Sequence, residues 1–247
     1  MENIDFKELL TEAIKDSISS YDKNELAFLA LQGKIENLLR DKIAWSIEEK
    51  LKELKEEAFV RKEYHPSQEI KHCPPEEDIP TRTKCDLAIL DKDKKRPKCL
   101  VEFKAAFWGE HAKSEYLDCC KSDCDKMRKF SNVVGEQKIP KYYIFFQIYH
   151  RGEESNIDDN KSLISYSDIL KTGKTGINIE KGKRNCIDPT ECNKDNNPWR
   201  DIDVKDGKNK YTDNGDIVAV LNQNIGKYYE LEVGIVTMIL KVKDEAN

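Results

Sequence analysis

Apolar residues in the first quarter of the chain recur with the period of a helix. Residues 3–18 and 24–57 read as helices. In the second, Leu26, Leu29, Ile35, Leu38, Leu39, Ile43, Ile47, Leu51 and Leu54 follow a spacing near 3.6. Asp22 or Asn24 is placed to cap its start, and Gly33 weakens it locally. The pattern then changes. AFVRKEY (58–64) alternates like a strand, and a long segment with Pro66, Pro74, Pro75 and Pro80 reads as a connection, since proline cannot continue a ladder. CDLAIL (85–90) and CLVEFKAAF (99–107) follow as strands, joined by a charged turn. SEYLDCCKSDCDKMRKF (114–130) places Tyr116, Leu117, Cys120, Cys124, Met127 and Phe130 at helical spacing, with Ser114 as a candidate cap. KYYIFFQIYH (141–150) is nearly continuous apolar and aromatic sequence, the mark of a strand buried on both faces.

The order helix, strand, hairpin, helix, strand predicts a mixed α/β sheet with helices on its faces. Residues 151–215 are rich in Asn, Asp, Lys and Gly. In them only ISYSDIL (164–170) has an ordered pattern, as a short helix or strand. GDIVAVLNQ and YYELEVGIVTMILKVK then read as strands, or as a strand with a helix, that complete the first sheet or pack beside it. This C-terminal part has too little core for a separate domain. One domain over 1–247 is expected, with a core at about 24–150 and a strand-rich extension over 151–247.

Composition narrows the function. The formal charge is −5, so a nucleic-acid face would have to be a local patch on an acidic body. The acidic, amphipathic start lacks the pattern of a signal peptide, and no apolar run is long enough to span a bilayer. A soluble, cytoplasmic protein without membrane contact is expected. The eight cysteines (73, 85, 99, 119, 120, 124, 186 and 192) include no CxxC pair. Reduced thiols are favoured over disulfides or a zinc site, with Cys85 and Cys99 acting as small strand hydrophobes.

Within the hairpin, charge intrudes on apolar strands. Side chains alternate along a strand, so Asp86, Ala88 and Leu90 should share one face, as should Leu100, Glu102 and Lys104. Glu102 and Lys104 lie about 7 Å apart along the strand. A solvated edge hairpin would explain such charges. However, Asp86 and Glu102 sit among Val, Ile, Leu and Phe, and a helix and an apolar strand follow, so the hairpin reads as central and its polar face needs partners. Hydrolysis of a phosphodiester uses such a set. Two carboxylates bind a hard divalent cation, which polarises phosphate and acidifies a bound water, and a lysine orients that water and balances charge. For both carboxylates to meet one ion, the two strands must pair without a bulge and with partner numbers of even sum.

Asp86, a strand–turn–strand and Glu102-Phe103-Lys104 resemble the PD-(D/E)XK nuclease superfamily of restriction, repair and defence nucleases. The resemblance covers roughly residues 24–150 and departs at Cys85, where the motif name has proline. It implies a restriction-endonuclease-like sheet flanked by helices. Asp86, Glu102 and the Phe103 carbonyl would hold Mg²⁺ (or Mn²⁺), and Lys104 would serve the water. It also implies assistance from a glutamate on the preceding helix, here Glu36. A surface pair with Arg40, four residues on, would equally account for Glu36. Asp125, Lys126 and Arg128 resemble the helix that follows the motif. Gln147 is a weaker candidate, more simply a buried amide.

Other signals fall short. LKTGKTG lacks the phosphate-loop glycine, since that position is Asp168, and the acidic stretch 201–216 has Ile202 where an EF-hand needs its first ligand. His65, His72, His111 and His150 form no HExxH and read as surface or supporting residues. Basic clusters at Lys92, Lys94, Lys95, Arg96 and Lys98, and across 171–184, suit contact with phosphates or plain solvation, as do Trp199 and Arg200 for bases. The expectation is a Mg²⁺-dependent endonuclease, a type II restriction or defence enzyme acting on double-stranded DNA. By analogy it would be a homodimer. The alternatives are a catalytically inactive module of the same fold that binds DNA or protein, and a metal-dependent hydrolase of another substrate.

Overall fold

The computed structural model describes residues 4–32, 35–65, 84–93, 96–107, 114–133, 139–151, 214–228 and 231–244. Helix α1 (Phe6–Ser19) starts at Asp5, whose carboxylate accepts from the N–H groups of Lys7 and Glu8. Asp22 caps α2 (Lys23–Leu31) in the same way. Helix α3 (Ile35–Glu53) follows. The expected single helix over 24–57 is therefore two, the first ending at Leu31 with Gln32 as its C-cap and the second beginning at Ile35; Gly33 itself lies outside the described residues. Asn24 is not the cap; its side chain accepts from the Lys227 N–H instead.

The end of α3 has a clear local cause. Glu56 N–H donates to Leu51 O and Lys55 N–H to Lys52 O, and Lys55 has φ 55°. This is a Schellman stop, with lysine where glycine is the usual residue. Leu54, expected on the apolar stripe, is instead exposed beyond the last helical residue.

Strands β1 (Ala58–Tyr64), β2 (Cys85–Asp91), β3 (Pro97–Phe107), β4 (Lys141–Arg151), β5 (Gly215–Tyr228) and β6 (Leu231–Val242) form one open, six-stranded sheet in the order β1-β2-β3-β4-β6-β5. All neighbours are antiparallel except β3 and β4, which run parallel and are joined through helix α4 (Ser114–Val133). The protein is mixed α/β, with four helices among the described residues. The two C-terminal segments are both strands, and they complete the first sheet, with β6 inserted next to β4. Among the described residues no helix is long and apolar enough to cross a membrane.

Each face of the sheet buries its own apolar cluster. On one, Leu10, Ile14, Leu39, Ile43 and Ile47 of α1 and α3 meet Leu87, Ile89, Val101, Phe103, Ile144 and Phe146. On the other, Cys120, Cys124, Met127 and Phe130 of α4 meet Ala88, Leu90, Leu100, Ala106, Tyr143, Phe145 and Met238. Each such large side chain contributes about 1.5–3 kcal/mol on burial. The spacing of 4, 3 and 3 along α4 makes it an amphipathic helix that the sheet requires. Ser114 is its first helical residue rather than its cap.

His65 is buried and lies edge-on to Phe130, so it is not a surface residue. Several expectations fall outside the described residues. They are the proline-rich connection from 66 onward, His72, His111, ISYSDIL, the basic cluster 171–184, and Trp199 with Arg200.

Candidate functional site

The hairpin register decides whether the carboxylates can meet. Leu87 pairs with Val101, Ala88 with Leu100 and Ile89 with Cys99, partner numbers of even sum that set Asp86 opposite Glu102. A bulge does occur, against expectation, between Ile89 and Leu90, where Pro97 opens β3. It lies toward the turn, so the site end of the hairpin keeps its register.

At that end the carboxylates replace ladder partners. Phe103 N–H donates to Asp86 Oδ2 at 2.9 Å, and Asp86 N–H donates to Glu102 Oε1 at 3.2 Å. Each acid is thus fixed by the backbone of the other's neighbourhood. The strict alternation expected for β2 breaks here. Cys85 joins the α4-side cluster together with Ala88 and Leu90, while Leu87 faces α3. The pairs Lys62–Leu87 and Tyr64–Cys85 bracket Glu63 opposite Asp86, and Glu63 has φ 52°, a left-handed conformation that costs a non-glycine residue free energy. Asp86 therefore does not simply share a face with Ala88 and Leu90. Its carboxylate sits at a seam, bound to β3 and reached by Arg40 from α3.

Two cations attend the acids. Arg40 Nη1 lies 2.8 Å from Glu63 Oε1 and 3.4 Å from Asp86 Oδ1, and its Nε lies 3.5 Å from Asp41. Lys126 Nζ lies 2.7 Å from Glu102 Oε1 and 3.3 Å from Asp123 Oδ1. Glu102 is 2 % exposed. Burial, and then the charge of Asp86, push its carboxyl pKa well above the ordinary range, with Lys126 working against them. Burial works to lower the Lys126 pKa, but Glu102 and Asp123 together act against it and the net direction is up. Asp123 is raised as well, chiefly by burial.

Glu36, in the first turn of α3, accepts from Ala105 N–H at 2.7 Å. Burial raises its pKa, while the Ala105 N–H and the Lys104 charge lower it. It ties α3 to β3 one residue beyond Lys104, and Arg40 turns to Glu63 and Asp86 rather than to it. Lys104 is half-buried and its side chain makes no hydrogen bond or ion pair among the described residues, yet its charge acts on both Glu36 and Asp123. It therefore stands between α3 and α4. Gln147 is fully buried on β4, in ladder position beside Ala106.

The structure thus brings Asp86, Glu102, Lys104 and Glu36 to the C-terminal half of β3. It parts the α4 residues quoted with them: Lys126 enters the site, whereas Arg128 pairs with Asp125 at 2.6 Å and binds Lys243 O and Asn214 O. The sequence marks Lys126 only through its helix after the motif and Arg40 only as a surface partner of Glu36, and it marks neither Asp123 nor Glu63. Helical spacing could have found the first two, since Lys126 adjoins the buried stripe at Met127 and Arg40 is one turn from Glu36; no sequence signal marks Glu63. In the basic turn, Lys92 pairs with Glu57 and Lys98 with Glu56, so part of that patch is neutralised internally.

Cys85 and Cys99 are buried, and burial pushes both thiols up; Cys120 and Cys124 are buried in the α4-side cluster, and Cys119 is exposed. Among the described residues no three His, Cys, Asp or Glu side chains gather as a ready metal-binding group. The chain matches no family model, no curated protein and no solved structure.

Proposed function

We propose that this chain is a divalent-metal-dependent endonuclease of the PD-(D/E)XK kind, hydrolysing phosphodiester bonds of duplex DNA. The observation that carries the reading is the interlock of Asp86 and Glu102 across the hairpin, with Lys104 two residues on and Glu36 fastened to the next backbone N–H. The donor set fits a hard cation. Two carboxylates are what Mg²⁺ takes from protein, leaving its other positions to water and phosphate. A buried carboxylate whose charge is disfavoured also gains from a cation. Asp86, Glu102 and the Phe103 carbonyl would hold the ion. When bound, it would polarise the phosphate and acidify a water.

The remaining work falls to the chain. Lys104, with no competing ion pair among the described residues, holds and orients the attacking water and offsets charge on the phosphate. Glu36 keeps the β3 backbone in place beside Lys104. A second reading, an inactive module of the same fold that binds DNA or protein, draws on the internal cations, since Arg40 and Lys126 already answer both carboxylates.

Supercoiled plasmid separates the two. Purified protein with Mg²⁺ should nick or linearise it, EDTA should abolish this, and Lys104→Ala should lower the rate by about 10²-fold or more without changing the melting temperature. Nicking that persists undiminished in Lys104→Ala would reject this site. No cleavage by the folded wild type would leave the binding module. Sedimentation of the active species tests the proposed homodimer, which would present two sites to the two strands.

A further inference from the structure

The two cations paired with the site carboxylates are held differently. Arg40 is shared among Asp41, Glu63 and Asp86, and its contact with Asp86 is one of its two longer ones. Its planar fork is anchored away from the hairpin. Lys126 makes its shortest contact, 2.7 Å, with Glu102, and it has a second anion, Asp123, at 3.3 Å on its own helix. The Glu102 side chain is 3 % exposed and Lys126 18 %. A buried carboxylate left without a counter-charge is costly, so Lys126 is what lets the acid be buried before any ion arrives. A lysine is a point charge on a flexible stem, and Asp123 gives it somewhere to remain when Glu102 is engaged elsewhere.

We infer that Lys126 is a resident counter-cation that a divalent ion must displace from Glu102, with Asp123 as the partner that retains it. This rests on the metal reading of the hairpin. It adds a positioning residue on α4 that sets ion affinity, and it makes Asp123 and Glu102 rivals for one ammonium. Removal of the lysine charge frees Glu102 for the ion. Removal of the Asp123 charge leaves Glu102 as the sole ion-pair partner among the described residues and holds the ion off.

Calorimetric titration of the DNA-free protein with Ca²⁺, followed by melting with and without Ca²⁺, tests this without any turnover. Lys126→Gln, which keeps a hydrogen-bond donor for Glu102, is expected to bind Ca²⁺ about tenfold more tightly than wild type and to gain more in melting temperature from it. Asp123→Asn is expected to bind more weakly, and Glu102→Gln not at all. If Lys126→Gln melts too low to titrate, Asp123→Asn decides alone, and unchanged or tighter binding there overturns the inference. Equal Ca²⁺ affinity in wild type and Lys126→Gln would reject the counter-cation while leaving the metal site in place. No binding by wild type and no binding by Lys126→Gln would remove both.

Discussion

Phe146 and Phe145 are adjacent on β4 and equally inaccessible, but they serve different faces. Phe146 stacks on Phe103, with ring centroids 6.1 Å apart and planes 9° apart, inside the cluster built by α1 and α3. Phe145 lies in the α4-side cluster as the ladder neighbour of Lys104. The α3 side is filled by aliphatic and aromatic residues to the hairpin end. The α4 side gives way to Glu102, Asp123 and Lys126, charged groups held by one another, with Lys104 beside them. One face is thus apolar where the other carries most of the charged groups of the candidate site. The site borrows from both, because Glu36 and Arg40 reach it from α3.

The matched phenylalanines give the strongest test of that contrast. Phe146→Ala and Phe145→Ala should each cost about 3–5 kcal/mol in urea unfolding, with Phe146 at the upper end. Only Phe145→Ala should also lower plasmid nicking in the fraction that stays folded, because the cavity opens beside Lys104. Equal losses of nicking per folded molecule would mean that the two faces are not functionally distinct.

A smaller effect probes the charged face alone. The Glu102 pKa is raised in the folded protein, so its protonation favours the fold. That contribution is present in full below the unfolded carboxyl range, near ~4.3, and is lost as pH rises through the folded value. Glu102→Gln cannot titrate. Melted in EDTA, it should gain a few degrees on wild type as pH goes from about 5 to about 8. A constant gap would show that burial does not penalise this carboxylate.

The smallest effect sharpens the contrast between a strained helix end and a strained site. Lys55 and Glu63 share a left-handed backbone. Lys55→Gly should stabilise by about 0.5–1 kcal/mol in urea titration, since it relieves a helix stop that has no other use for the side chain. Glu63→Gly should not match it, because the Glu63 carboxylate holds Arg40 at 2.8 Å. A full gain at Glu63 would mean that the ion pair contributes nothing.

Much of the fold was legible because helices and strands write their periods locally. The stripes of α3 and α4, the alternation in β1 and the apolar run of β4 each predicted their element. The end of α2 at Leu31 and the stop at Lys55 were less legible. The first shows no change in the apolar period, and the second places a residue in a conformation its type does not favour. Asp86, Glu102 and Lys104 stood out in the sequence, since charges inside apolar strands need a reason wherever the strands lie. Arg40, Lys126, Asp123 and Glu63 carried no such mark.

The sequence alone determined the elements, the hairpin and the charged residues it presents, because each depends on neighbours a few positions away. Only the tertiary structure decided the strand order, the break in alternation at Asp86, and which cation meets which acid. Those depend on segments far apart in the chain, Arg40 with Asp86, Glu36 with Ala105 and Arg128 with Lys243. Their meeting is set by how two helical layers close over one sheet, and no local periodicity encodes it.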